Sequence, residues 1–254
     1  YNNNYSETNF DLLANVDKDI SKDFNLKALL GGNIRKNSIN NIYNVTNGGL
    51  IIPGVYSLSN SLVTPLAPLE NEQHREVDGI FAGATLTWKK MLTLDGTIRR
   101  DKSSTLPEAN NSYYYPSIAG GFVFSELLKD WKWLSYGKIR ANYAQVGNDA
   151  PIYVVLDSYT INSPFGTAPQ TTLNLTKNNP NLKPERTKSK EIGLELNFFD
   201  NRLGFDGSYY NALTFDEILP VRVSSATGYT NEYLNAGSIR NKGVELSIYG
   251  TPVK

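Results

Sequence analysis

One histidine, no cysteine, and 25 acidic residues against 25 basic ones set the chemistry open to this 254-residue chain. His74 stands between Gln73 and Arg75 with Glu76 beyond. A lone imidazole cannot anchor a Ser–His–Asp triad or a multi-histidine metal site, so His74 reads as a solvated loop residue. The missing cysteines remove thiol catalysis, disulfide scaffolds and Cys-ligated zinc. Gly31-Gly32, Gly48-Gly49 and Gly120-Gly121 lack a strand–loop–helix context and fit sharp bends or crowded strands better than phosphate loops. The charged residues that recur in a pattern are Asp95, Arg99, Arg100, Asp101, Arg140, Glu191, Glu195 and Glu245. Each falls in a segment of strand periodicity, where charges on a wet face can meet a bound molecule or can neutralise one another. The second reading is the simpler. Tyr43, Tyr56, Tyr159, Phe165, Tyr229 and Tyr233 sit in expected loops, free to stack on sugars or peptides or to pack the loops on themselves. No catalytic, cofactor or metal site emerges, and the chain reads as a non-enzyme.

The elements that carry these residues are strands. In 188–198, Ile192, Leu194, Leu196 and Phe198 alternate with Glu191, Gly193, Glu195 and Asn197. Residues 203–215, 91–100 and the stretch around Val244, Leu246 and Ile248 repeat the pattern, and 9–18, 25–35, 78–88, 113–124 and 138–146 show it more weakly. That makes about nine strands, many of about ten residues, the length that crosses a bilayer at a tilt. Globular strands are shorter, with a mode of about 5–6 residues. No apolar run approaches the roughly 18 residues of a spanning helix, which excludes a helical membrane protein. The expected links alternate in length. Links 19–24, 89–90, 125–137 and 199–202 are short; 36–77, 101–112, 147–187 and 216–237 are longer. In a meander this gathers turns at one end and loops at the other, as in an antiparallel transmembrane β-barrel with short periplasmic turns and long extracellular loops. Within 125–135, Ser125 is placed to cap a helical turn. Trp131, Trp133 and Tyr136 follow, either as part of an interfacial girdle or as a local cluster.

A net charge of zero offers no basic face for nucleic acid. The chain starts at Tyr1 without a signal peptide, and its pattern runs on to Lys254, so both ends read as cut.

Several segments carry a resemblance. Asn179-Pro-Asn-Leu-Lys-Pro-Glu-Arg-Thr187, leading into Lys188-Ser-Lys-Glu-Ile-Gly-Leu-Glu-Leu196, resembles the entry to a C-terminal barrel strand of TonB-dependent transporters. Asn235-Ala-Gly-Ser-Ile-Arg-Asn-Lys-Gly-Val-Glu-Leu246 and Leu94-Asp-Gly-Thr-Ile-Arg-Arg-Asp-Lys-Ser-Ser104 are similar to the SusC/RagA branch from Bacteroidetes, as are Tyr115-Pro-Ser117 and 138–148. The matches keep their order over residues 80–254. The resemblance implies an outer-membrane barrel of about 22 strands with an internal plug. It implies drive from a TonB-type complex acting through that plug, a SusD-like surface lipoprotein over the mouth, and glycan or peptide cargo. On that reading, residues 1–254 are a partial barrel domain set in outer-membrane lipid, with the plug and remaining strands absent. Rivals are another outer-membrane barrel, such as a siderophore receptor or porin, and a soluble β-rich glycan-binding module. The soluble module requires Leu194, Leu196, Val244 and Leu246 to be buried in a closed core.

Overall fold

The computed structural model describes residues 2–251. Its main sheet holds nine strands. They are β1 (Asn2–Asp19), β2 (Phe24–Tyr43), β3 (Leu69–Trp88), β4 (Leu92–Ser103), β5 (Ser112–Val123), β6 (Leu134–Asn148), β7 (Glu185–Phe198), β8 (Leu203–Phe215) and β9 (Ser238–Gly250). They pair in sequence order and antiparallel, an up-and-down meander. Every expected segment lies in this sheet apart from the terminal residues Met91 and Phe124, and the outer ends run further than alternation suggests. β2 reaches Tyr43 and β3 starts at Leu69, so the expected 36–77 loop shrinks to 44–68. His74 is therefore a strand residue, not a loop residue, and its Nε2 meets Glu72 Oε1 at 2.9 Å. The ladder continues there from Lys36↔Glu76 to Tyr43↔Leu69 although the sequence turns polar. At this end both faces carry mostly polar residues, so the periodic signal fades while the backbone pairing persists.

Register decides which side chains share a face. Ile192, Tyr209 and Val244 form one row across β7–β9, followed by Leu194, Gly207 and Leu246, then Leu196, Phe205 and Ile248. Val244 and Leu246 are 66% and 67% exposed. Leu12, Leu30, Ile80 and Ile98 extend the same apolar exposure across β1–β4. A continuous apolar surface of this extent suits lipid, not water. No closed core gathers these leucines and valines, so the soluble-module expectation is not met among the described residues. The opposite face is mostly polar, with Leu13, Leu29 and Phe81 as an apolar patch around Gly31.

The two ends of the sheet differ. Residues 20–23, 89–91, 124–133 and 199–202 make one set of links. Lys89 and Lys90 both take positive φ, as a tight hairpin whose twist matches its strands requires. The expected cap on Ser125 is not formed. The turn is a 3-10 helix at Phe124–Leu127, its N-cap is Val123 with no side-chain bond, and Ser125 lies inside it. Phe124 is drawn into the turn because its ring lies against Gly137. Trp131 stacks on Trp133 at 5.3 Å and Trp133 on Phe198 at 5.7 Å, which ties this link to the end of β7.

At the other end, residues 44–68, 149–184 and 216–237 carry small sheets of their own. The 104–111 link, by contrast, is no longer than 124–133, so length alone does not separate the ends there. Packing does: Leu106 is 5% exposed while Leu127 is 65% exposed. The buried apolar cluster lies under these loops, against the end of β5 that carries Tyr113. It comprises Leu106, Tyr113, Ala150, Val154, Leu182 and Ile218.

Candidate functional site

On the polar face, two arginines each reach across an entire strand. Arg140 of β6 passes over β7 to Asp206 of β8, with Nη1–Oδ2 2.8 Å and Nη2–Oδ1 2.9 Å. Its register partner on β7 is Gly193, where an added Cβ would lie 2.6 Å from Arg140 Nε. The glycine is the path. Glu191 adds a contact at 3.8 Å. Arg99 of β4 repeats the arrangement over Gly79 of β3. It donates to Asn33 Oδ1 on β2 at 2.6 Å and to Asp101 at 2.7 Å, and a Cβ at Gly79 would collide with its Nη2. The Tyr115 hydroxyl donates to Asp101 as well. Asp95 accepts from Thr85 at 2.6 Å. These pairs neutralise part of the wall, while Glu195 and Glu245 on the same face join no ion pair among the described residues. Arg100 departs from the expectation. Successive strand residues cannot share a face, so Arg100 lies opposite Arg99, donating to Ser112 at 2.7 Å with its guanidinium over Tyr114.

The loop end is held together by a second set of bonds. Arg75 of β3 grips Asp149 through Nε at 3.0 Å and Nη2 at 2.6 Å, and the Ser103 hydroxyl donates to the same carboxylate. Asp149 and Ser103 are buried, so the ion pair works in low dielectric, where losing one partner is costly. Residues 178–185 then tie the 149–184 loop to itself and to the 216–237 loop. Asn178 Nδ2 donates to the carbonyls of Tyr153 and Leu156, and Asn179 Nδ2 to that of Tyr233. Leu182 is fully buried. Asn235 accepts from Lys183 N at 2.8 Å and donates to the carbonyls of Lys183 and Asp216. Glu185 accepts from Ile218 N at 2.9 Å. The Asn-Pro-Asn-Leu-Lys-Pro-Glu segment is thus a fastener between the 149–184 and 216–237 loops.

Between 104–111 and 149–184 lies a cleft of about 770 Å³, lined by His74, Leu106, Pro107, Tyr153, Leu156 and Pro180 among others. The loop aromatics do not converge on it. Tyr56 (90% exposed) lies in the 44–68 loop; Tyr159 and Phe165 (81%) end one strand of a hairpin, Tyr159–Phe165 with Ala168–Leu173. Tyr43 ends β2, Tyr229 is half-buried, and Tyr233 packs against the buried cluster. Lys177 bonds Glu232 at 3.1 Å, and that hydrogen bond and charge hold its ammonium above the ordinary lysine range.

Sequence reasoning did not single out Asp149, Ser103, Asn33 or Asp206. For Asp206 a signal existed: a glycine, Gly193, in the intervening strand at the register of Arg140. For Asn33 it did not, because Gly79 is the register partner of Asp101 while Arg99 faces Phe81. For Asp149 and Ser103 none did, since their partners are far away in the chain. Among the described residues, no group of three or more His, Cys, Asp or Glu could hold a metal ion.

A family model described as TonB dependent receptor-like, beta-barrel matches residues 1–252. TonB-dependent receptor P26 of Formosa agariphila is 30% identical over 252 residues, covering 93% of this chain and 24% of that protein. TonB-dependent receptor SusC of Bacteroides thetaiotaomicron is 33% identical over 170 residues, 62% of this chain and 17% of SusC. The chain spans about a quarter or less of these relatives. The RagAB peptide transporter superposes with a TM-score of 0.90 at 24% identity, over 99% of this chain and 28% of that one. The siderophore receptor PirA from Pseudomonas aeruginosa, at 14% identity, gives 0.57 over 96% of this chain and 40% of that one. At these identities the structural likeness is one of fold.

Proposed function

The chain belongs to the TonB-dependent receptor β-barrel family, and on that premise we propose that it supplies wall and mouth to a SusC-type transporter importing large nutrients, oligosaccharides or peptides. The family is one of outer-membrane transporters, not of enzymes. One observation carries the reading for this chain: a sheet with one apolar and one polar face ends on one side in short turns and on the other in a fastened assembly of loops. The loops are the extracellular mouth, and residues 1–254 are part of a larger barrel. A plug moved by a TonB-type complex opens the path along the polar face, and a SusD-like lipoprotein covers the mouth. The strand-spanning arginines brace that wall and neutralise Asp206 and Asp101 within it. Tyr56, Tyr159 and Phe165 are the exposed surfaces offered to cargo or lipoprotein. The 33% identity with SusC over 170 residues favours this branch over siderophore uptake.

The test uses the full-length transporter in intact cells. A cysteine at Phe165 should react with a membrane-impermeant maleimide, and one at Asp200 should not; the reverse pattern overturns the orientation. Uptake of fluorescent oligosaccharides or peptides too large for diffusion should require the transporter and an energised inner membrane. Passage that persists without energy would make it a pore and overturn the reading.

A further inference from the structure

Across β7, β8 and β9 the charges are sorted by face. The polar face carries Glu185, Glu191, Glu195, Asp206 and Glu245, and no lysine or arginine from these strands. The opposite face carries Arg186, Lys188, Lys190, Arg240 and Lys242, and no carboxylate. Register gathers four of these cations. Lys188, Leu213 and Arg240 form one row; Lys190, Asn211 and Lys242 form the next; the apolar rows begin directly below, at Ile192, Tyr209 and Val244. All four are exposed, and among the described residues none joins an ion pair. The Lys188 ammonium lies 5.0 Å from the Phe215 ring centroid.

The height of the patch is informative. At about 3.3 Å per residue and a tilt of about 40°, the strand from Lys188 to Phe198 rises about 25 Å, the height of the apolar band of an outer-membrane barrel. With Phe198 at one boundary, the cations stand at the other, on the side of the long loops. Elsewhere on this face charge is balanced: Lys36 pairs with Glu76 at 3.2 Å, and Lys102 is the register partner of Asp78. The excess belongs to one sector, not to the whole rim.

An occupant of this sector must satisfy cations and apolar rows together. A neutral lipid leaves the cations unpaired, and a soluble protein cannot follow the apolar rows into the bilayer. The geometry points to a binding site for a phosphorylated, multiply acylated glycolipid of the outer leaflet, its phosphate among Lys188, Lys190, Arg240 and Lys242 and its chains along Ile192, Val244 and Leu246. This rests on the reading that the long loops face outside.

Diphosphoryl lipid A is the probe, titrated onto the full-length transporter in detergent and followed by native mass spectrometry. The variant Lys188→Gln/Lys190→Gln/Arg240→Gln/Lys242→Gln should bind it at least about tenfold more weakly, given the contribution of each cation at an anionic surface. A charge-matched variant at the turn end, Lys18→Gln/Lys22→Gln/Lys129→Gln/Lys132→Gln, should bind as the parent does. Equal binding by the first variant and the parent overturns the site. So does retention of dephosphorylated lipid A, or competition by inorganic phosphate as strong as by the whole lipid. The Phe165 and Asp200 labelling separates the failures. Outside labelling at Phe165 with no lipid effect refutes the site alone; labelling at Asp200 instead refutes the orientation and the site with it.

Discussion

At the scale of single residues, the distinctive feature of the wall is the pairing of an arginine with a glycine one strand away. An arginine is long enough to reach past its neighbour strand only if nothing stands in between, and Gly193 and Gly79 keep those lanes clear. Gly193→Ala places a methyl in the path of Arg140, and overpacking of this kind costs about 1–3 kcal/mol. The measurement is a double-mutant cycle with Asp206→Asn on urea unfolding of the full-length barrel. Asp206→Asn should cost much less in the Gly193→Ala background than alone, because the bond it breaks is already displaced. Additive losses would show that Arg140 reaches Asp206 by another route. Buried Asp149 offers a contrasting case. Asp149→Ala strands Arg75 and the Ser103 hydroxyl in a half-buried setting, so it should cost more than removing any one exposed ion pair such as Lys27–Asp17.

At the scale of elements, the mouth loops behave as one packed body fastened by residues 178–185. Leu182→Ala opens a cavity under three loops and should cost about 2–5 kcal/mol of local stability. Asn235→Ala removes three hydrogen bonds, two exposed and one part-buried, each worth about 0.5–1.5 kcal/mol. Both should raise hydrogen exchange in 149–184 and 216–237 together, while β1 and β2 remain protected; a rise in one loop alone would refute the fastener. The Lys177–Glu232 contact adds a pH dependence of defined sign. A lysine whose folded pKa lies above its unfolded value contributes fully below the unfolded pKa, and the contribution fades as pH rises through the folded one. Spin labels at Asn174 and Arg222 should keep a constant separation from neutral pH to about pH 9 and spread only above the ordinary lysine range of about 10.4. Lys177→Met should show no such alkaline step. Much of this was legible beforehand and some was not. The strands of the apolar band were readable because Ile192, Leu194, Leu196 and Phe198 alternate against polar neighbours. The extensions at 36–43 and 69–77 were hidden because outside lipid the periodicity vanishes while pairing continues. The buried cluster under the loops could not be read at all. It joins Leu106, Leu182 and Ile218, which are distant in sequence and carry no local period. The order of the motif did point to 179–187, though as a family mark and not as the mechanical joint it is.

At the scale of the whole molecule, the sheet is open. β1 and β9 each have one partnered side, β2 and β8, and among the described residues the other side of each ladder is unpaired. In hydrocarbon an unpaired peptide group costs several kcal/mol, so an exposed edge along a strand of this length is not a stable state of a membrane protein. Water offers no escape, because burying the edges would leave the rows at Ile192, Leu194 and Val244 exposed. Three outcomes satisfy both constraints: further strands from the same polypeptide, pairing with a second copy, or aggregation edge to edge. The proposed barrel corresponds to the first, and it separates experimentally from the other two. Residues 1–254 expressed alone and refolded into detergent should form edge-paired oligomers or precipitate. The full-length protein should refold into a monomeric, heat-modifiable band on semi-native gels. Light scattering that showed residues 1–254 as a stable monomer with protected β1 and β9 amides would mean that the nine strands satisfy their own edges. In that case the sheet would be a closed unit in its own right, and the proposal of a larger barrel would fall.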